Sequence, residues 1–267
     1  MKKNFLISLF LSLSCTLSCM NSDEAKTIET LALQLDAMEI DSSITEKPKK
    51  FRAVPEEKNA PKKSSNFHTV VPNKLYRSAQ LSKTELEAVI KTYGIKTIIN
   101  LRGQWPTESW WRDEFEVALK HHCHFHNILM VARSLTTREN LQQLLDLYDD
   151  LDSAPTPILI HCKEGKDRAG EAAALWLLEK EHQPKRKALE ELSETFGHKP
   201  HKFPAKAFLI YMWPVTKNKK QRRKWLNERY NPYVEIDTGI ANDFINDFGL
   251  KIDVDDLSDM ITIPVIE

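Results

Sequence analysis

The sequence predicts an α/β fold, a three-layer sandwich in which helices flank a central, largely parallel sheet of 4–5 strands. Two observations predict it. Short β-branched or apolar runs, such as residues 96–101 and 157–161, alternate with segments of helical periodicity. Such alternation is typical of parallel sheets covered by helices on both faces. The apolar content of 41% is enough for a core, and 267 residues suit one domain with appendages.

The elements can be assigned in chain order. Residues 67–77 predict a short strand and a turn. Ser82 is the predicted N-cap of a helix to Tyr93, with Glu85 in the capping-box position and Gly94 at its end. The remaining predictions are strands at 96–101, 123–130 and 157–161, and helices at 106–121, from Thr136 or Thr137 to about Leu151, at 167–182 and at 184–196.

Residues 1–19 have the pattern of a signal peptide. Lys2 and Lys3 precede an apolar segment, Phe5 to Leu17, that is short for a membrane span. Cys19 follows that segment and resembles a loose bacterial lipoprotein box, with Cys15 as the weaker alternative. The pattern predicts export, to the periplasm, to a membrane anchor on a lipidated Cys19, or into the medium. An uncleaved N-terminal anchor is the other interpretation.

The two flanking segments differ in composition from the middle of the chain. Residues 20–66 are rich in Lys, Pro, Ser and acidic residues and predict a flexible linker. Residues 201–267 predict a helical extension, with a basic stretch at 217–224 and acidic residues from 235 onward. These stretches are interpreted as pairing with each other, or the basic one as contacting a polyanion or anionic membrane. The whole chain balances 38 basic and 38 acidic residues, which argues against a nucleic-acid partner.

The candidate catalytic residues follow the strand at 157–161. The sequence there is HCKEGKDRAG, residues 161–170. Loop amides and the start of a helix near Asp167 converge on one point, which favours an anion and also the thiolate form of Cys162. Gly165 allows the loop to bend, and the planar guanidinium of Arg168 can hold two phosphoryl oxygens.

This loop resembles the signature of the cysteine-based protein tyrosine and dual-specificity phosphatases. The resemblance rests on Cys162, five residues and Arg168, with His161 before and Gly165 between. LYRSAQLS at 75–82 and YGIKTIINLRG at 93–103 are similar to the opening of compact bacterial dual-specificity phosphatases. The resemblance implies a phosphatase domain at 67–200, a cysteinyl-phosphate intermediate and no cofactor or metal.

The loop supplies the candidate site residues. The catalytic candidates are Cys162 as nucleophile, Arg168 as phosphoryl ligand and Asp167 as a loop-shaping residue or auxiliary acid, or else as a helix cap. The predicted substrate-binding residues are His161, which also holds the loop in shape, Lys163, Glu164, Gly165 and Lys166.

Two positions depart from the family pattern. Ala169 replaces a Ser or Thr whose hydroxyl helps the thiolate leave in the second step, which predicts slower breakdown of the intermediate. Residues 128–137, where the family's acid is expected, contain no carboxylate. Asp113, Glu114 and Glu139 are therefore weighed beside the loop aspartate as sources of the proton.

The substrate remains open between two phosphate classes. Phosphotyrosine in a protein is the default, and a phosphoinositide or inositol phosphate is the alternative, because Lys163 and Lys166 resemble the tensin-related lipid phosphatases. Arg133 is a further candidate for the pocket mouth. A phosphate-binding pseudophosphatase is the alternative of another class, since Ala169 and the missing acid are consistent with lost turnover.

Other cysteines and histidines have simpler interpretations. His122, His124 and His126 are predicted to form an exposed strand face rather than a metal site. Cys162 is predicted to remain a free thiol that forms no bridge with Cys123.

Overall fold

The structure is a computed structural model that describes residues 65–214, 216, 218–233 and 236–263. The predicted signal peptide, Cys15, Cys19 and the linker up to residue 64 lie outside these residues. The strands are β1 (His68–Val71), β2 (Leu75–Ser78), β3 (Thr97–Asn100), β4 (His124–Asn127) and β5 (Ile158–His161). The helices are α1 (Lys83–Tyr93), α2 (Ser109–Lys120), α3 (Arg138–Asp149), α4 (Asp167–Glu179), α5 (Lys185–Leu189), α6 (Ala205–Met212), α7 (Lys219–Glu228), α8 (Thr238–Phe248) and α9 (Val254–Ile261).

The five strands form one sheet in the order β1-β2-β5-β3-β4. Only the β1–β2 pair is antiparallel, and the other three pairs are parallel. The predicted α/β class with a largely parallel sheet is therefore confirmed. In the central strand β5, His161 lies in register with Ser78 of β2 and Asn100 of β3. The loop after His161 thus leaves the middle of the sheet at the carboxyl edge of three parallel strands, where ligands of such sheets bind.

Helices cover both faces of the sheet. One face packs against α1 and α2 through a cluster that contains Ile98 and Leu159, and the other packs against α3, α4 and α6 through a cluster that contains Ile99 and Ile160. Alternate residues of one strand therefore enter different cores, as the two-residue period of a strand requires. Burial on both faces explains why β5 is a continuous apolar run.

The predicted helix boundaries agree best with the structure where the sequence contains recognisable capping residues. Ser82 and Glu85 form the predicted capping box of α1, and Gly94 ends that helix in the left-handed conformation. The predicted helix at 184–196 is wrong. The chain instead forms the short α5 and two 3-10 turns, at Glu190–Leu192 and Glu194–Phe196. Between the turns Ser193 is extended, and contacts with the signature loop take precedence over helical periodicity.

The C-terminal helices complete the core on one face. Phe208 and Trp213, together with Phe244, Leu257 and Ile261 from α8 and α9, are buried in the same cluster as the sheet. The basic stretch does not pair with the acidic end within the described residues. Lys219 and Arg223 bind Asp149 of α3 at 2.8 and 2.7 Å instead. Among the residues that the structure describes, no helix is both long and apolar enough to cross a membrane.

Candidate active site

Cys162 begins the loop that joins β5 to α4. Its side chain is buried, with 3% of the residue exposed, directly after the last strand residue. Gly165 has a φ of +68°, and a Cβ atom there would lie 2.6 Å from the backbone nitrogen of Ala79. Only glycine fits both the left-handed conformation and this close approach to the end of β2. The bend at Gly165 folds the loop back over the sheet edge.

Side chains and backbone outside the loop bind its carbonyl groups. Arg77 Nη2 donates to the carbonyls of Gly165 at 2.7 Å and Lys166 at 3.0 Å. Asn66 Nδ2 donates to the carbonyls of Glu164 at 3.1 Å and Gly165 at 3.0 Å. The backbone N–H of Gln80 donates to the carbonyl of Lys163 at 3.3 Å. Four consecutive loop carbonyls, from residues 163 to 166, are therefore held outward.

The orientation of these carbonyls fixes the direction of the loop amides. In a trans peptide the C=O of one residue and the N–H of the next point in opposite directions. The N–H groups of residues 164–167 therefore point to the inner side of the loop, beside Cys162. Converging N–H groups at the start of a helix form an anion site, and α4 begins at Asp167.

Arg168 closes the loop at the same sheet edge. Its Nη1 donates to the carbonyl of Leu101 after β3 at 3.2 Å and to that of Met130 after β4 at 3.4 Å. Its Nε is buried without a hydrogen-bond partner among the described residues. A buried donor left unpaired costs about 1–3 kcal/mol, so this atom favours an anionic ligand. Cys162 and Arg168, the predicted nucleophile and phosphoryl ligand, thus share one site.

Arg77 is a site residue that the sequence analysis missed. It is fully buried, its Nη1 lies 2.7 Å from a carboxylate oxygen of Glu191, and its guanidinium stacks on Phe196 at 4.6 Å. Burial lowers its pKa, and the charge of Glu191 opposes that change. The one available signal was an arginine inside the short strand 75–78, whose residues are all buried. Asn66 gave no comparable signal.

His161 lies beneath the loop rather than beside its mouth. The residue is 1% exposed, and its Nε2 lies 2.5 Å from Glu114 Oε1. This close contact lacks the alignment of a hydrogen bond. Gln80 Nε2 donates to the other oxygen of Glu114, and Arg102 Nη1 donates to Gln80 Oε1 at 2.8 Å. This buried position suits the predicted role of His161 in shaping the loop, and its predicted contact with the substrate stays a prediction.

The remaining loop side chains differ in exposure. Lys163 and Glu164 are exposed, and Lys166 Nζ binds Glu164 Oε2 at 2.7 Å. The hydrogen bond that Lys166 donates to Glu164 raises the pKa of Lys166. Only one of the two predicted substrate-binding lysines, Lys163, therefore has no intraloop carboxylate partner.

Asp167 has a partner from outside the loop. Its Oδ1 lies 2.6 Å from Nδ1 of His198, whose side chain is fully buried. Lys166 is the N-cap residue of α4 and makes no side-chain capping bond, so the alternative role of Asp167 as a helix cap is wrong. About a quarter of the Asp167 side chain remains exposed.

The segment before α3 is held by a buried charged cluster. Thr136 Oγ1 donates to Glu171 Oε2 at 2.7 Å and accepts from Lys206 Nζ at 2.6 Å. Lys206 and Glu171 are paired at 2.9 Å, both fully buried. Burial raises the pKa of Glu171 and lowers that of Lys206. Residues 131–136, which lack a carboxylate, are thereby tied to α4 and α6.

The other candidates for the proton donor lie elsewhere. Glu114 is buried against His161, as described above. Asp113 and Glu139 are exposed, Glu139 in the first turn of α3. Ala169, where the family carries a hydroxyl, is fully buried in the first turn of α4.

The histidine strand differs from its prediction. His122 has a φ of +53° in the turn before β4, so it does not share a strand face with His124 and His126. Within the described residues, no group of three His, Cys, Asp or Glu side chains is placed to hold a metal ion. Cys162 is a free thiol, as predicted, and Cys123 is free as well.

Comparison with known proteins agrees with the class that this site defines. Residues 61–185 match the tyrosine phosphatase family. Over these residues, which include Cys162 and Arg168, the chain is similar to the cysteine-based protein tyrosine and dual-specificity phosphatases. A search of curated protein sequences gives no significant match.

Three crystal structures illustrate the structural similarity. TpbA of P. aeruginosa is 22% identical, with 63% of this chain and 95% of that chain covered and a TM-score of 0.47. The core catalytic domain of the PP-IP phosphatase SIW14 from S. cerevisiae, in complex with citrate, is 18% identical, with coverages of 61% and 92% and a TM-score of 0.47. PTPMT1 is 14% identical, with coverages of 61% and 97% and a TM-score of 0.41.

Proposed function

We propose that the protein hydrolyses phosphate monoesters through a cysteinyl-phosphate, with phosphotyrosine and related phosphoprotein groups as its substrates. The observation that carries this proposal is the loop at 162–168. Its carbonyls are held outward by Arg77, Asn66 and Gln80, while Arg168 keeps a buried donor without a partner among the described residues. Inward amides and a guanidinium stabilise charge on the equatorial oxygens of a transferring phosphoryl group.

The proposed reaction has two steps. The Cys162 thiolate attacks phosphorus in line, the P–O ester bond breaks, and Asp167 gives its proton to the departing oxygen. A water molecule then attacks the cysteinyl-phosphate, the S–P bond breaks, and the carboxylate of Asp167 takes a proton from that water. The thiolate and the acid are thereby restored.

The preference for an aryl phosphate comes from the surface around Arg168. The two segments whose carbonyls bind its guanidinium also carry three exposed apolar side chains: Trp105 (47% exposed), Leu129 (57%) and Val131 (41%). Trp105 is fixed by a hydrogen bond from its Nε1 to the carbonyl of Arg102. An apolar rim suits the ring of phosphotyrosine and the side chains beside it in a peptide.

A phosphoinositide or inositol phosphate is the second candidate substrate. It is favoured by the exposed Lys163 in the loop and by Arg133, which lies over Phe203 at 4.8 Å on the segment after β4. Additional cations near the pocket favour a polyanion. The pairing of Lys166 with Glu164 weakens this argument, since it offsets one of the two loop charges.

The proposed location is outside the cytoplasm. The charged start, apolar segment and Cys19 of the N-terminal sequence support export to the periplasm, a lipid anchor or secretion. Cell fractionation of the wild type and Cys19→Ser tests the anchor. Release of the variant, but not the wild type, from the membrane fraction is the expected result, and identical fractionation contradicts lipidation.

The function is tested with the purified protein under reducing conditions. Phosphate release is measured with an aryl phosphate, a phosphotyrosine peptide and a panel of phosphoinositides, for wild type, Cys162→Ser and the matched control Cys123→Ser. We expect turnover by wild type and Cys123→Ser, none by Cys162→Ser, and the highest kcat/KM with the phosphotyrosine peptide. A folded wild type that binds phosphate analogues without turnover would instead be a pseudophosphatase.

A further inference from the structure

The segment between α5 and α6 forms an outer wall around the signature loop. Glu191 binds the buried Arg77 through its carboxylate and its carbonyl, both at 2.7 Å. The carbonyl of Phe196 accepts from Asn66 Nδ2 at 3.0 Å. A Cβ atom on Gly197 would lie 2.9 Å from Cε of Lys166, so the lysine chain lies directly on this glycine. This wall, residues 191–198, lies beyond the part of the chain that matches the family.

His198 is the residue of the wall that reaches a candidate catalytic group. Its backbone N–H donates to the carbonyl of Ser193 at 3.1 Å, which fixes the residue on its own turn. Its Nδ1 lies 2.6 Å from Asp167 Oδ1. In the tautomer that carries its proton on Nδ1, the imidazole donates to this oxygen, whether or not the other oxygen of Asp167 is protonated. Its Nε2 is buried with no hydrogen-bond partner among the described residues. Among the described residues, the ring therefore makes one polar contact, to Asp167.

Asp167 differs from the other carboxylates near the loop. Glu114 is buried against His161, and Glu171 is buried against Lys206. Glu191 is bound by Arg77, while Glu164 is an exposed side chain bound by Lys166. Asp167 and Glu191 both contact a fully buried partner, but the Asp167 side chain is 24% exposed and faces an imidazole, whereas Glu191 is 12% exposed and faces the guanidinium of Arg77. It is therefore both accessible and held in place.

We propose that His198 is a positioning residue for proton delivery by Asp167, an inference that rests on the proposed phosphatase function. The Nδ1–H of His198 occupies Oδ1, so the transferable proton resides on Oδ2. In the first step the Oδ2–H bond breaks as the ester oxygen leaves with that proton. The carboxylate that remains keeps its hydrogen bond from His198 and regains a proton from the attacking water in the second step.

This arrangement places the acid on a fixed element. Asp167 is the first residue of α4 and directly precedes Arg168, so the acid and the phosphoryl ligand move together. A positioned general acid contributes about 100-fold or more to such a step, and misplacement loses that factor. The structure thereby accounts for proton delivery without a carboxylate in residues 128–137.

The test measures kcat/KM, which reports the first chemical step, for aryl phosphates with different leaving groups. Dinitrophenyl phosphate needs little protonation of its leaving oxygen, whereas phenyl phosphate needs much. For His198→Leu we expect a loss of roughly 100-fold with phenyl phosphate and less than about 3-fold with dinitrophenyl phosphate. Adding His198→Leu to Asp167→Asn should cause no further loss.

Conservative variants separate positioning from folding. His198→Asn places an amide near the position of Nδ1 and should retain most of the phenyl phosphate activity. His198→Gln places its amide near Nε2 and should behave like His198→Leu, which keeps the test available if the leucine variant is unstable. The control is His201→Leu, because His201 is exposed and its contact with Glu194, also exposed, is long at 3.9 Å. It should match the wild type.

The outcomes distinguish this inference from the function on which it rests. Equal losses with both substrates would mean that His198 supports only the fold. No loss with either substrate would mean that it supports neither the fold nor proton delivery. Each of these results overturns the proposal. If the wild type and Cys162→Ser are equally inactive, the proposed function fails and His198 loses its role with it. If the wild type is active but the His198 variants lose the same activity with both aryl phosphates, the role of His198 is rejected and the proposed function stands.

Discussion

Arg77 Nη2 lies 2.7 Å from the carbonyl oxygen of Gly165, and this contact turns the signature loop so that its amides face Cys162. The same guanidinium binds the carboxylate of Glu191 on its other side. One buried arginine thus joins β2, the loop and the wall at 191–198. Its position makes the geometry of the anion site dependent on a residue that does not contact the anion itself.

Arg77→Met should therefore affect stability and phosphate binding together. Removing one partner of a buried ion pair typically costs about 3–5 kcal/mol, and Glu191 would be left without its partner. We expect the free energy of unfolding to fall by about that amount, and kcat/KM by at least about 10-fold because the loop carbonyls lose their donor. Chemical denaturation and aryl phosphate turnover measure the two effects.

The matched control for this prediction is Lys74→Met. Lys74 binds Glu181 at 2.9 Å, but its side chain is half exposed. An exposed pair contributes no more than about 1 kcal/mol, so this variant should retain activity and nearly all stability. Arg77→Met with wild-type affinity for inorganic phosphate would contradict the role assigned to the arginine.

The buried pair of Glu171 and Lys206 allows a second test. Burial raises the pKa of Glu171 and lowers that of Lys206, because desolvation opposes the charged form of each group. Lys206→Met alone should destabilise the protein by about 3–5 kcal/mol, because Glu171 is left in an apolar core without its cationic partner. The double variant Glu171→Gln with Lys206→Met should recover much of that loss, as measured by a double-mutant cycle in urea.

The double-mutant cycle also tests how the pair of Glu171 and Lys206 holds the segment at residues 131–136. Thr136 binds both members of the pair, so Thr136→Val should couple to each of them. Additive effects of the three substitutions would show that the cluster does not act as a unit.

Local sequence signals predicted most of the elements and the two central site residues. The capping box at Ser82, the glycine at residue 94 and the apolar β5 run are local patterns, so they could be identified without tertiary information. Cys162 and Arg168 could be identified because their spacing is short and their loop lies between one strand and one helix. Chemistry contained within about ten residues is accessible to sequence reasoning.

Long-range contacts could not be predicted in the same way. Arg77 and Glu191 are 114 residues apart, and Asp167 and His198 are 31 apart. Nothing in the neighbourhood of His198 indicates a buried imidazole facing a carboxylate. The prediction of a helix at 184–196 was wrong for the same reason: long-range contacts between the wall at 191–198 and the signature loop outweigh the local helical periodicity.

Cys123 and Cys162 should differ in reactivity toward iodoacetate. Burial raises the pKa of Cys123 to about 11, so below that pH its sulfur remains a thiol and is a poor nucleophile. The anionic reagent should instead enter the loop at 162–168 and alkylate Cys162, because the inward amides attract its carboxylate. Peptide mapping after treatment at pH 7.5 should find the label on Cys162, and inorganic phosphate should protect it.

Labelling at Cys123 should rise only as the pH approaches 11. The Cys162→Ser variant should show no carboxymethyl group in the peptide that contains Cys123 at pH 7.5. Preferential labelling of Cys123 at that pH, or no protection by phosphate, would contradict the anion site proposed for the loop.

Ala169 sets the expected rate of the second step. It occupies the position at which the family carries a hydroxyl that stabilises the departing thiolate, and it lies fully buried in the first turn of α4 beside Arg168. A hydrogen bond to a charged group contributes about 1.5–3 kcal/mol, which corresponds to roughly 10–100-fold in rate. Ala169→Ser should therefore accelerate hydrolysis of the cysteinyl-phosphate within that range.

Rapid-quench kinetics with dinitrophenyl phosphate resolve this step. In the wild type we expect a burst of one phenolate per site followed by slow turnover, because the intermediate accumulates when its breakdown limits the rate. In Ala169→Ser the burst should shrink and kcat should rise, while kcat/KM stays close to the wild-type value because the first step is unchanged. A wild type without a burst, or a serine variant in which kcat/KM rises with kcat, would show that the missing hydroxyl does not govern breakdown of the intermediate.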